Sequence, residues 1–514
     1  MAGADGYLRL VFVVDGLRPD VINPQHTPTI ARLRDQGAEC LAAHAAVPSV
    51  TRVNAAALVT GFGPGTNGLV GNQMYIPKVR GDLPFSTADG ASVQRLGEVS
   101  GNVLTCPTLA DRLGQSGLTF VSVGSGSPGS ALLLNTVAGA GSGVMINTNL
   151  PRNGVPVAIP EDVQSGLLRR FGPPPRKAQE GGFGDTVRYA TSVIREYVLP
   201  QLQPDVLMVW LTEPDHSQHV FGLGSSQAVA ALRVADDAIA EITRYLVSDG
   251  AIDRTDIVIV SDHGFSTVST TVDVSRELIR AGLKDSPVST DVVVADTGCA
   301  ALYVQNRDPQ RIVTLVEHLQ RSDWAQAVFT APSWPQGPEA DRDVPGGAAG
   351  HGWVAGTFST GRLGYVGGER EADIVVSLPW GDSPNEHGIR GDSSVLARTG
   401  QLPYAAHHGN LSPHDIRSTL IGWGPSFRRE ARSEVPAGNL DVTPTLLHVL
   451  GVDGASLEGR ILHELLAECP QSEPQVERWT ERVVAEQGSY EASLAIARVD
   501  DHRYVSWATR NDAV

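Results

Sequence analysis

Four short stretches carry acids, imidazoles and a hydroxyl that could share metal ions. VVDG ends an apolar run on Asp15, and PSVTRVNAAALVTG sets Thr51 at the start of a helical pattern. TEPDHSQH offers Asp215 and His219, VIVSDHG offers Asp262 and His263, and AAHHGN offers His407 and His408. Carboxylates and imidazoles with an added hydroxyl oxygen make a donor set suited to Zn²⁺. Taken singly, D-x-x-x-H or D-H serves a turn or a helix cap as readily as a metal. Three acid-bearing clusters, each just past an apolar run, are harder to assign to chance.

The hydroxyl has its own chemistry. A Thr is a poor nucleophile at neutral pH, but coordination to Zn²⁺ lowers its pKa and activates it. A helix start behind it adds partial positive charge and free N–H groups for a phosphoryl oxygen. Asn54, three residues on, shares the first helical turn and could donate to a non-bridging oxygen. Its alternative role is to satisfy backbone groups in the interior.

The elements that must position these residues follow from periodicity. Leu8–Val14 is apolar except for Arg9, the pattern of a parallel strand covered on both faces. HTPTIARLRDQG reads as a helix capped by Thr27, started by Pro28 and ended by Gly37. FGPGTNGLVGN reads as a glycine-rich turn, with phosphate cradling as the rival reading. Helix-to-strand units recur at Pro107–Gly117 with LTFVSVGSG, at Thr186–Gln203 with Asp205–Leu211, and at Gln227–Ser248 with Asp256–Val260. That alternation calls for an α/β fold with a mainly parallel central sheet flanked by helices. In such sheets ligands bind beyond the carboxyl ends of the strands, where the clusters would converge.

From about Ser269 the rhythm changes to a smaller α+β pattern, with STDVVVAD, CAALYVQN and a helix at Asp308–Gln320. The expected organisation is a catalytic core at 1–268 plus 407–468, an inserted cap domain at 269–406, and a C-terminal helix with a possible hairpin at 469–514. Within the resumed core, Ser418–Gly422 reads as a strand and Val442–Leu450 as a helix.

Composition bounds the function. The chain has 514 residues and a formal net charge of −17, which argues against a general binder of nucleic-acid polymers. Its four cysteines, at 40, 106, 299 and 469, fit neither a zinc knuckle nor a disulfide framework. No apolar stretch is long enough to span a membrane, and the N-terminus lacks a basic leader, so the expected location is cytoplasmic.

The chain resembles the alkaline phosphatase superfamily, most of all its nucleotide pyrophosphatase/phosphodiesterase branch, with phosphonoacetate hydrolase close by. The matching pieces, in the family's order, are VVDGLRPD, TPTIARL, PSVTRVNAAALVTG, TEPDHSQHVFG, VIVSDHGF, HHG followed by GWGPSFR, and LDVTPTLLHVLG. The resemblance implies two zinc ions, one held by Asp215, His219 and His408, the other by Asp15, Asp262, His263 and the Thr51 oxygen. His408 is preferred because His408-Gly409 precedes a strand ending in Gly424-Pro425; His407, His351 and His387 are the rivals. It also implies attack by Thr51, a phosphothreonine intermediate, and hydrolysis by water activated at the second zinc. An Asn at the spacing of Asn54 is implied to hold the phosphoryl oxygen. Arg52 stands where that branch often has an aromatic, and could meet a carboxylate or phosphate of the substrate or simply be solvated.

Charge counting suits this reading. Two Zn²⁺ balance Asp15, Asp215, Asp262 and a Thr alkoxide, leaving a near-neutral site for a singly charged diester or phosphonate. The expected function is therefore zinc-dependent hydrolysis of small phosphate diesters, nucleotide pyrophosphates or phosphonates. A sulfatase would need C/S-x-P-x-R, which P-S-V-T-R does not supply. A metal-dependent phosphomutase would use the same metal ligands, and a catalytically silent binding protein could keep the site without turnover.

Overall fold

The computed structural model describes residues 6–149, 155–176, 182–333, 350–397, 403–454, 456–468 and 477–511. Its centre is a nine-stranded sheet. The order is Ala431–Ser433, Ala38–Cys40, Leu420–Trp423, Thr255–Val260, Leu8–Val14, Val206–Leu211, Phe120–Gly124, Val144–Asn147, Ala158–Ile159. The middle five, from Thr255–Val260 to Val144–Asn147, are mutually parallel. Leu420–Trp423 and Ala158–Ile159 run against their neighbours.

Leu8–Val14 shows why the central strands read as unbroken apolar runs. Val11 and Val13 join the hydrophobic cluster on one face, while Leu10, Phe12 and Val14 join the cluster on the other. Each such side chain contributes roughly 1.5–3 kcal/mol on burial. Arg9 is the polar exception, and its guanidinium lies 3.6 Å from Asp256 on the neighbouring strand. The long helix Ser226–Ser248 covers one face through Leu232, Ala235, Ile239 and Ile242.

Register then decides where the chemistry falls. Val13 pairs with Val260 and Val14 with Leu211. Three parallel strands therefore end level, and the residues that follow each of them emerge side by side.

Several local expectations are corrected. Thr27 stands at the start of the helix Pro28–Gln36, but its hydroxyl turns back to Asn23. The free N–H groups of Thr29 and Ile30 instead donate to the Asp236 carboxylate, supplied by the long helix. The segment expected as one helix over Thr186–Gln203 is an α-helix, Gly184–Val193, that widens into a π-helix over Ile194–Leu202 with Pro200 inside it. In the glycine-rich turn, Gly63 N–H and the Thr66 hydroxyl both donate to Glu458, so a carboxylate of the chain itself takes those donors.

Beyond the main sheet, Val292–Thr297, Cys299–Val304, Ile374–Val376, Val328–Thr330 and Phe358–Ser359 form a second sheet, with the helix Pro309–Arg321. The position expected as the insert boundary, 268/269, falls inside the strand Ser266–Val272. That strand pairs with Arg390–Leu396 on one side and Ala406–His407 on the other. At the C-terminus, Arg478–Gln487, Tyr490–Val499 and His502–Arg510 make a three-stranded antiparallel sheet. The expected hairpin is thus joined by a strand where a helix was anticipated; residues 469–476 lie outside the described ones. Cys40, Cys106 and Cys299 are free thiols, and Cys469 lies outside the described residues. Among the described residues, no helix is long and apolar enough to cross a membrane.

Candidate metal centre

The level strand ends build the first part of the site. Asp15 follows Val14 directly, and Gly16 then turns the chain at φ +70°, a left-handed conformation suited to glycine. That turn aims Gly16 N–H at Asp262 Oδ1, 3.0 Å away. Trp210, on the neighbouring strand, donates its indole N–H to Asp15 Oδ2 at 2.9 Å. Each carboxylate thereby has one oxygen committed. The other, Asp15 Oδ1 or Asp262 Oδ2, is buried and has no hydrogen-bond partner. Between them stands His263, whose Nε2 lies 3.5 Å from Asp15 Oδ1, 3.0 Å from Asp262 Oδ2 and 3.3 Å from Thr51 Oγ1.

The second part is assembled from further apart. Asp215 opens the short helix Asp215–Phe221, with its backbone N–H donating to the Asp15 carbonyl. His219 follows one turn later on the same face, its Nε2 3.3 Å from Asp215 Oδ1. His408 follows directly after the strand Ala406–His407, whose antiparallel pairing with Ser266–Val272 carries the chain back to the core. Its Nε2 lies 3.4 Å from Asp215 Oδ1, which is also buried and without a hydrogen-bond partner.

All three imidazoles are oriented in the same way. Nδ1 of His219, His263 and His408 faces a backbone carbonyl, of Ala406, Gly264 and Ser49 respectively, at 2.9–3.0 Å. With Nδ1 donating there, Nε2 keeps its lone pair and points into the site, the arrangement that metal-ligating histidines adopt. Phe265 packs edge-on against His219 and tilts against His263 and His408, while the His263 and His408 rings stack at 3.4 Å.

Electrostatics sharpen the picture. Burial, then the neighbouring Asp262 and Asp215, pushes the Asp15 carboxyl well above its ordinary range. Burial raises Asp215 too, but His219 and His408 outweigh it and bring the group well below that range. Burial and the adjacent His263 push His408 down to about 4, so its imidazole is neutral at pH 7. Three buried carboxylates with unshared oxygens are unfavourable together unless cations balance them. Three facing Nε2 lone pairs complete a donor set of the kind that divalent zinc takes. At this centre two groups of side chains offer ligand atoms all within 4.8 Å of one another: Asp15, Asp262, His263, and Asp215, His263, His408; His448, His463 and Glu468 make a third such group among the described residues. His263 thus bridges the two halves that the sequence assigned to separate ions.

Thr51 is buried at the first turn of the helix Thr51–Thr60, whose N-cap, Val50, offers no side-chain cap. Val50 thus places no cap side chain beside the hydroxyl, and of the leading N–H groups that of Arg52 is held by Asn72. Asn54 is a correction. Its Oδ1 accepts from Ala46 N–H and Asn439, and its Nδ2 donates to the Ala46 and Val50 carbonyls. Fully buried and four times bonded, it braces the loop before Thr51 and has no donor to spare.

Sequence reasoning passed over Asn72. Its Oδ1 accepts the N–H of Arg52, the residue after the hydroxyl, at 3.1 Å. The signal was present in LVGNQMY, an Asn in a turn behind glycine, but local spacing gave no reason to link it to Thr51. Of the rival histidines, His407 adjoins the cluster but turns its Nδ1 onto the His408 backbone. His351 reaches the Val484 carbonyl and His387 stands beside Glu386, both exposed and in none of the ligand groups.

Residues 9–333 match the model of the type I phosphodiesterase/nucleotide pyrophosphatase family. The chain belongs to that family. The family stands within the alkaline phosphatase superfamily, and the central sheet with its flanking helices and added smaller sheets is the fold expected of a member. Murine ectonucleotide pyrophosphatase/phosphodiesterase 5 superposes with a TM-score of 0.59 at 14% identity, covering 89% of this chain and 99% of that one. The human protein gives 0.57 at 17% identity, with the same coverage. A third structure is an inactive Thr-to-Ala variant of the murine protein in complex with AMP. Venom phosphodiesterase of Macrovipera lebetinus is 23% identical over 263 residues, 51% of this chain. That match spans only 26% of the venom protein.

Proposed function

We propose that this family member is a two-zinc hydrolase of small phosphate diesters, nucleotide pyrophosphates or phosphonates, acting through a phosphothreonine at Thr51. One observation carries the reading. Thr51 Oγ1, in the first turn of its helix, lies 3.3 Å from His263 Nε2, in a centre that holds three carboxylate oxygens without hydrogen-bond partners. Asp215, His219 and His408 would hold one ion; Asp15, Asp262, His263 and Thr51 Oγ1 would hold the other. Bound zinc would supply the Lewis-acid charge that lowers the hydroxyl pKa and offsets charge on the phosphoryl group.

The chain's own groups do the rest. Thr51 Oγ1 attacks phosphorus in line, and the leaving oxygen departs away from the helix start. The leading N–H groups of the helix, apart from that of Arg52, which Asn72 holds, face the charge that develops on a non-bridging oxygen. With its Oδ1 fixed on Arg52 N–H, Asn72 has only Nδ2 to give, and that amide is the second donor in this reading. Water then attacks the phosphothreonine from the side the leaving group vacated, which regenerates Thr51. The AMP complex of the murine Thr-to-Ala variant supports a threonine in this role and a nucleotide-sized ligand.

The test is a panel of monoesters, diesters, nucleotides and phosphonates, assayed with and without a chelator. Hydrolysis of diesters or phosphonates that is lost on chelation and restored by Zn²⁺ is the expected result. Turnover that survives complete metal removal contradicts the proposal.

A further inference from the structure

Arg52 is the one residue of the helix Thr51–Thr60 outside its buried set. Its Nε is nevertheless enclosed and has no hydrogen-bond partner. Among the described residues its side chain makes no hydrogen bond or ion pair. Arg52 directly follows Thr51 in the first turn of the helix, and Asp15, Asp215 and Asp262 are the carboxylates near enough for their charge to act on it. None of those carboxylates serves as its partner. Asp15 and Asp262 each give one oxygen to a protein donor and keep the other beside His263; Asp215 Oδ1 lies beside His219 and His408.

A guanidinium is always charged, and its planar fork matches carboxylate or phosphate oxygens two at a time. Leaving such a group half-enclosed without a partner is costly unless a ligand brings one. Direction follows from the chain. In-line attack by Thr51 sends the leaving group away from the helix start, whereas Arg52 is the next residue on the entering side. It therefore reaches a substituent that stays on phosphorus.

We propose that Arg52 selects substrates whose retained half carries a second anionic group, a carboxylate or a phosphate-type oxyanion, close to the reacting phosphorus. This rests on Thr51 as the nucleophile of the proposed hydrolase, and it narrows the substrate class to molecules with two neighbouring anionic centres.

Three p-nitrophenyl esters with one leaving group test it: those of methylphosphonic acid, carboxymethylphosphonic acid and phosphonomethylphosphonic acid. With the zinc-loaded protein, kcat/KM for at least one anion-bearing ester should exceed that for the methyl ester by about 10- to 100-fold. The larger of the two ratios identifies the anion. In Arg52→Gln that ratio should collapse by about tenfold or more, chiefly through KM, with partial rescue in Arg52→Lys. Binding gives an independent readout. In a Thr51→Ala background, calorimetry should show the same loss of preference when Arg52→Gln is added. A ratio near one in the native protein, or one that survives Arg52→Gln, overturns the role of Arg52 alone. If the native protein hydrolyses none of the three esters, the hydrolase reading itself fails.

Discussion

The two halves of the centre are made differently. Asp15, Asp262 and His263 lie just past two adjacent parallel strands that end in register, and all three are essentially sealed from solvent. Asp215, His219 and His408 come from a short helix and a returning strand, and the Asp215 and His219 side chains keep 13% and 12% of their exposure. The first half is a consequence of the sheet: once the strands pair, those groups can stand nowhere else. The second depends on contacts such as His219 Nδ1 to the Ala406 carbonyl, made across 187 residues of chain. Substitutions in the first half should therefore disturb the fold and the site together. Those in the second should disturb the site alone.

The largest expected effect lies at the proposed nucleophile, which sits against the first half. Thr51→Ala should lower kcat by on the order of 10⁴-fold or more while bound zinc stays near its native level, read by steady-state kinetics with elemental analysis. Asn72→Ala should cost about 10²- to 10³-fold in kcat with little change in stability. Asn54→Ala should instead show itself in the melting curve, since it strips four buried hydrogen bonds. If the two asparagines behave alike, the division between donor and brace is wrong.

A middle-sized effect distinguishes the halves by metal content. His219→Ala should lower zinc from about two ions per chain towards one with the fold intact. Asp262→Ala should lower both zinc content and thermal stability. Equal outcomes for the two variants would erase the contrast.

Protons offer a finer comparison. In the metal-free protein His408 takes its proton only near pH 4, against about 6.5 in an unfolded chain. Between those values the unfolded state binds more protons, so this group's contribution to stability falls as pH drops from 6.5 to 4. Urea midpoints of the metal-free protein should decline over that window, less steeply in His408→Gln. The smallest effect is at the remote cap. Asp236→Ala should cost roughly 1 kcal/mol of stability and leave kcat/KM unchanged, because the helix it caps carries none of the site's donors.

Much of the first half was legible from residues alone. An apolar run broken only by an acid or by Asp-His at its end is a strand that brings a polar group to the sheet edge, and periodicity finds it. The side chains of the second half were grouped by type and order, not by any local geometry, and the structure brings them close together. Asn54 and Asn72 mark where such reading stops. Helical spacing places Asn54 beside Thr51, but only packing shows that the Ala46 backbone consumes its amide. Thr27 failed for a similar reason: the Asp236 carboxylate on the long helix, 207 residues from the Thr29 N–H it accepts, outcompetes the neighbouring hydroxyl as cap.

The central claim is that Thr51 becomes covalently phosphorylated. Rapid mixing of the zinc-loaded protein with bis-p-nitrophenyl phosphate, an acid quench and peptide mass mapping addresses it directly. The account predicts a burst of p-nitrophenolate approaching one per chain and a p-nitrophenyl phosphoryl adduct on the peptide bearing Thr51. Steady turnover with no burst and no adduct at Thr51 would contradict it.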